Sequence, residues 1–260
     1  MDTHNANDCI LTVNDIHTYI GQFHILEGVS LRVPRNHITV LLGRNGAGKT
    51  TTLKSILGLT PPRQGQVILD GQEIQGKRAF DIAAMGIGYV PEHRAIFRNL
   101  SVAENLRIAE RKRGDLARRA DFIFGLFPDL KRLYKLPGNH LSGGQQQMLA
   151  VARALVADNK LLLIDEPSEG LAPILIEQMI VAIRELSATT TVLLVEQNFI
   201  MARQLGEFYY IIDDGQSVHQ GAMADLVQDQ DLIHRYLGAS HGGASHGGAS
   251  HHGAAEGGGR

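Results

Sequence analysis

Several things are scarce in this sequence, and each scarcity removes a class of protein. There is one cysteine, Cys9, so no internal disulfide framework can form and a reducing compartment is expected. No apolar run approaches the roughly 18 to 20 residues that a membrane-spanning helix needs. Neither sign of charge dominates: 25 basic residues face 27 acidic ones, for a formal net charge of −2. That balance sets aside a strongly basic nucleic-acid binder and an acidic disordered chain, although local basic patches remain allowed. Met1 to Asp8 is polar and lacks the basic-then-apolar pattern of a secretion signal, so a cytoplasmic protein is expected. What the 260 residues do contain is 43% hydrophobic side chains, enough for a substantial core in one large domain or two small ones.

The composition breaks near Gly238. From Ala239 to Arg260 the chain is glycine, alanine, serine and histidine apart from Glu256 and Arg260, and the unit Ala-Ser-His-Gly-Gly recurs. Such a stretch cannot bury enough apolar surface to offset its chain entropy, so 239–260 is expected to be disordered. Its four histidines are otherwise weak metal chelators at most. The folded unit is then 9–237.

Within that unit, Ile38 to Leu42, Leu161 to Ile164 and Thr191 to Val195 are short apolar runs of the kind buried in parallel sheets. Ile174 to Leu186 has helical periodicity between the last two, which predicts a βαβ unit. Cys9 to Tyr19 and Ile25 to Val33 alternate more loosely and read as flanking antiparallel strands. Ser101-Val102-Ala103-Glu104 is a capping-box pattern. Residues 98–157 read as mostly helical, inserted in the α/β core.

Gly43-Arg44-Asn45-Gly46-Ala47-Gly48-Lys49-Thr50 follows a predicted strand and precedes a predicted helix. Glycines let backbone N–H groups wrap phosphates without a Cβ clash, and the helix aims its positive end at them. Lys49 would set a point charge against the β- and γ-phosphates, and the Thr50 hydroxyl would ligate Mg²⁺. Leu161 to Ile164 ends in Asp165 and Glu166. Successive strand residues point to opposite faces, so Asp165 can hold Mg²⁺ through its water shell while Glu166 polarises the attacking water. Standing alone, the pair is also what an exposed strand end looks like. Leu141-Ser142-Gly143-Gly144-Gln145 opens a helical pattern and forms a second phosphate-binding nest or, taken alone, a flexible turn. Two nests of which one has a lysine suggest that two chains complete each other's sites.

Taken in order, these three segments resemble the nucleotide-binding subunit of an ABC transporter over about residues 9–237. The resemblance implies a P-loop NTPase core, with a RecA-like parallel sheet and flanking antiparallel strands, plus a helical subdomain bearing the signature segment. It also implies ATP as the nucleotide, Mg²⁺ beside it, and Thr51 among the nucleotide-contacting residues. Two subunits would dock head to tail, each ATP lying between one phosphate loop and the partner's Ser142, Gly143, Gly144 and Gln145. Tyr19 falls where the family stacks an aromatic ring on adenine, with an ordinary core or surface tyrosine as the other reading.

Two positions depart from the usual family pattern. Glu92 stands where a Mg²⁺-sensing glutamine is common, and a carboxylate can ligate the ion but cannot donate a hydrogen bond. Gln197 stands where a histidine usually meets the γ-phosphate; its amide can donate but cannot titrate near neutral pH. Val90-Pro91-Glu92 followed by Arg94, the run Glu166 to Pro173, and Val195-Glu196-Gln197-Asn198 together resemble one branch, the second ATPase subunit of bacterial branched-chain amino acid importers. His93 departs from that branch, which more often has glycine. The branch implies a sister or identical ATPase, membrane permease subunits, and a periplasmic binding protein acting indirectly, with no nucleic acid. It places the chain peripherally on the cytoplasmic face of the inner membrane. Phe97 would face the membrane subunit or pack in the helical core. A urea or short-amide importer subunit, or a non-transport ABC ATPase, are the alternatives.

Overall fold

The computed structural model describes residues 8–238; the stretch expected to be disordered, 239–260, lies outside them. The chain opens with β1 (Cys9–Ile20), β2 (Phe23–Pro34) and β3 (Ile38–Leu42), then α1 (Lys49–Ile56), β4 (Gln64–Leu69) and β5 (Gln72–Glu73). Next come α2 (Ala79–Ala84) and β6 (Ile87–Val90), followed by four helices, α3 (Val102–Ile108), α4 (Asp115–Leu126), α5 (Pro128–Arg132) and α6 (Gly143–Ala154). The remainder is β7 (Leu161–Asp165), α7 (Pro173–Ser187), β8 (Thr191–Glu196), α8 (Phe199–Leu205), β9 (Phe208–Asp213), β10 (Gln216–Ala222), α9 (Met223–Gln228) and α10 (Gln230–Leu237).

Two sheets result. The larger has the order β10-β9-β3-β8-β7-β6, parallel except for the edge strand β10. β1 and β2 do pair antiparallel, but they belong to a separate sheet of order β2-β1-β4-β5. The helix α7 begins on Pro173, a residue suited to the first helical position because its missing N–H would have no partner there. α3 starts as its sequence foretold: Ser101 Oγ accepts from Glu104 N–H, and Glu104 Oε2 accepts from Ser101 N–H.

The central strands β3, β7 and β8 are buried on both faces, and their side chains divide the interior. Val40, Leu42, Leu162, Ile164, Val192 and Leu194 join one apolar cluster with residues of α3–α8. Leu41, Leu161, Leu163, Leu193 and Val195 join another with β1, β2, β4 and α1. This two-residue alternation is the strand period itself.

Candidate functional site

Register determines where the chemistry gathers. Leu42 pairs with Glu196, and Asp165 with Val195. The carboxyl ends of β3, β8 and β7 are therefore level, and the loops beginning at Gly43, Glu166 and Gln197 leave the sheet side by side. Ligands of open α/β sheets bind at this edge.

The loop 43–48 is held open by glycine where the backbone demands it. Gly43 has φ +153°, and a Cβ there would lie 2.3 Å from the Ile212 carbonyl oxygen. Gly48, at φ +107°, caps α1 without a side-chain acceptor, which leaves the first-turn N–H groups facing the loop. Lys49 is almost wholly enclosed, and its Nζ donates to the carbonyls of Gly43 (3.0 Å) and Arg44 (3.1 Å) and pairs with Glu166 Oε1 at 3.0 Å. The arrangement is a closed circuit, with the ammonium turned onto the loop's own oxygens and the neighbouring acid. Glu166 itself has φ +45°, a left-handed backbone that costs a non-glycine residue about 1 kcal/mol or more. Its N–H bonds to Val195 O at 2.9 Å, and this bond holds the turn in place.

Asp165 is fully buried at the end of β7. It accepts from Thr50 Oγ1 at 3.1 Å and from the Tyr89 hydroxyl at 3.3 Å. Burial raises its pKa, and the two donated bonds oppose the rise. Burial, with Asp165 nearby, raises Tyr89 as well. Glu92 is raised chiefly by burial; His93 opposes this, and the acids Glu169, Asp165 and Glu166 reinforce it. Ligand-type atoms of Glu92, His93 and Glu169 lie within 4.8 Å of one another. Thr50, Asp165 and Glu92 are hard oxygen donors, the set that suits Mg²⁺.

A cavity of about 280 Å³ is lined by Ile25, Asn45, Gly46, Gly48, Lys49, Thr50, Thr51, Glu92, Glu166 and Glu169. Most of the phosphate-loop residues named from sequence therefore meet Glu92 and Glu166 at one place. Ile25 and Glu169 were not anticipated, because each enters from an element whose path the sequence does not reveal. Arg44 lies on the exposed rim, where it donates to Arg235 O at 2.9 Å, and Ala47 is buried beneath.

Tyr19 does not line this cavity. Its ring stacks on His24 at 4.1 Å with a 4° interplanar angle, and the Arg63 guanidinium lies 4.4 Å from its centre. Gln197 is exposed at the mouth of its loop. Phe97 is exposed at 45%, with Arg153 over its ring at 4.9 Å, and does not belong to the helical core.

Ser142 to Gln145 stands apart from the cavity. Ser142 Oγ accepts from Gln145 N–H and Gln145 Oε1 accepts from Ser142 N–H, a capping box not foreseen from sequence. The Ser142 hydroxyl keeps its proton for an outside acceptor. Gly143 is exposed. Gly144 is buried, and a Cβ there would meet Leu175 at 2.2 Å, so helix packing by itself calls for glycine at this position.

The residue that sequence reasoning used only as a position marker is Glu196. It is 1% exposed, and its pKa is pushed up to about 7. Burial is the main cause and the Glu166 charge adds to it, against bonds from Asn198 N–H and from Ser168. A carboxyl raised from its ordinary 4.5 to about 7 favours the folded state below the lower value, and that contribution is lost as pH rises through the upper one. The loss amounts to about 3 kcal/mol at roughly 1.4 kcal/mol per unit. Melting temperatures of wild type and Glu196→Gln should therefore diverge between pH 5 and 8, with the wild type losing ground as pH rises. A constant difference would refute the buried titration.

The loop, the strand-end acids and the oxygen donors define a phosphate-binding nucleotide hydrolase of the P-loop class. The family model described as ABC transporter matches residues 26–169, and the chain belongs to that family. It is 38% identical over 232 residues to the high-affinity branched-chain amino acid transport ATP-binding protein BraG of Pseudomonas aeruginosa, covering 88% of this chain and 100% of that one. It is 35% identical over 221 residues to the lipopolysaccharide export system ATP-binding protein LptB of Escherichia coli, covering 82% and 91%. Among solved structures, a nucleotide-free ATP-binding cassette from an ABC transporter superposes with a TM-score of 0.78 at 26% identity, over 86% of this chain and 97% of the other. The chain is an ATPase subunit of a transporter. Among the described residues no helix is long and apolar enough to cross a membrane.

Proposed function

We propose that this subunit hydrolyses ATP for an importer of branched-chain or related amino acids. It would act peripherally on the cytoplasmic face of the inner membrane, with permease subunits, a second sister or identical ATPase, and indirectly a periplasmic binding protein. The folded ATPase domain is 9–237, with the helical subdomain at about 98–157. The observation that carries the reading is the convergence of Lys49, Thr50 and Glu166 on one cavity, with Asp165 buried behind it and bonded to Thr50. In the working site the loop 43–48 and Lys49 cradle the phosphates, Thr51 adds a contact, and Tyr19 takes the base. Thr50, Asp165 and Glu92 would hold Mg²⁺, whose charge offsets that of the phosphates. Glu166 accepts a proton from the attacking water, and Gln197 donates to a γ-phosphate oxygen. Ser142, Gly143, Gly144 and Gln145 of one subunit close over the nucleotide of the other. Their separation from the cavity of their own chain supports that pairing.

Similarity to BraG over its whole length favours an amino-acid cargo. Similarity to LptB is nearly as high, since the cargo is contacted by other chains. The test is uptake into vesicles holding the subunit with its permeases, energised by internal Mg²⁺–ATP. Labelled leucine should accumulate with ATP and not with ADP. ATP turnover that responds to no amino acid would reject the cargo.

A further inference from the structure

The loops leaving β7 and β8 share an anchor that the catalytic scheme does not use. Glu196 ends a strand whose preceding residues, Val192 to Val195, are all buried and apolar. A carboxylate at such a position is costly unless fully hydrogen-bonded. Here it is: Oε1 accepts from Ser168 N–H at 3.1 Å, while Oε2 accepts from Ser168 Oγ at 3.0 Å and from Asn198 N–H at 3.0 Å. Asn198 in turn caps α8, its Oδ1 accepting from Ile200 and Met201 N–H at 3.0 and 3.3 Å. On the other side Ser168 sits in the turn between Glu166 and Glu169, both of which line the nucleotide cavity. Gln197 lies between Glu196 and Asn198.

We propose that Glu196 is a positioning residue that clamps the turn after Glu166 to the loop carrying Gln197, so that both approach and leave the γ-phosphate together. The proposal rests on the roles given above to Glu166 and Gln197. One carboxylate with bonds to both loops can do this because neither can shift without breaking a bond to a buried acceptor. A hydrophobic side chain would fill the same space and leave the loops independent. The charged group facing Glu196 is Glu166, whose own partner is Lys49.

Two measurements test the clamp. In the nucleotide-free chain, amide exchange should quicken at least about fivefold in both 167–172 and 197–201 for Glu196→Ala, which removes the acceptor shared by the two loops, each bond being worth roughly 1 kcal/mol. Exchange in β3 should not change. Acceleration in one loop alone, or in neither, overturns the clamp. In the assembled transporter, Glu196→Ala and Gln197→Ala should each lower kcat about ten- to a hundredfold with KM for ATP within about twofold, and the double variant should be no slower than the slower single one. Glu196→Gln should recover part of the Glu196→Ala loss. Additive losses, or a shift in KM alone, overturn the positioning role. A wild-type assembly that does not turn over ATP would reject the functional reading instead, and the exchange result would still decide whether the clamp exists.

Discussion

Glu166→Gln should stop turnover while ATP still binds. The substituted amide cannot take the proton of the attacking water, and removal of a general base typically lowers rates by about 10² to 10⁴. Affinity is not expected to fall, because the carboxylate pairs with Lys49 at 3.0 Å and competes with a γ-phosphate for that ammonium. Replacing the acid with a neutral amide weakens that internal competitor. The variant should therefore bind ATP as tightly as wild type or more so, and accumulate as a closed dimer visible by size-exclusion chromatography. Turnover near the wild-type rate would show that another group takes the proton.

Lys49→Ala should do the opposite. Among the described residues lining the cavity the ammonium is the one cationic donor, and hydrogen bonds to charged groups are worth roughly 1.5 to 3 kcal/mol, or about ten- to a hundredfold in affinity. Losing it also strands Glu166 beside two carbonyl oxygens with no cation between them, which repels the incoming phosphate further. Titration with a fluorescent ATP analogue should show the weaker binding in Lys49→Ala and not in Glu166→Gln. Equal affinities across wild type and both variants would refute the assignment of this loop to phosphate.

The segments that could be read from sequence are those whose chemistry is contiguous. The phosphate loop carries its glycines, lysine and hydroxyl within eight residues, and β7 delivers Asp165 and Glu166 at its tip, so spacing alone exposes them. What escaped is whatever depends on register or on the packing of distant elements. Tyr19 falls at the expected position, yet the hairpin between β1 and β2 brings His24 onto its ring. Ile25 reaches the cavity by the same hairpin. Gly144 reads in sequence as a phosphate-facing glycine, and the approach of Leu175 on α7 is a second demand on it that the sequence does not display. Glu196 reads in sequence as the polar residue after a strand. Only the pairing of Leu42 with Glu196, together with the turn carrying Ser168, shows it to be enclosed. The loose alternation of β1 and β2 revealed antiparallel pairing but not membership of a second sheet, since pairing partners such as β4 lie far along the chain.

The division of the interior by β3, β7 and β8 bears on how such a chain diverges. Leu106 and Ile123 in the helical half belong to the apolar cluster that includes Val40 and Leu162 on one face of the strands. The phosphate-loop helix rests on Leu41, Leu163 and Leu193 on the other face. The sheet is thus a bulkhead: a change of packing confined to one cluster reaches the other only through the strands they share. Lineages serving amino-acid uptake and lipopolysaccharide export can then share one engine and differ in its mounting.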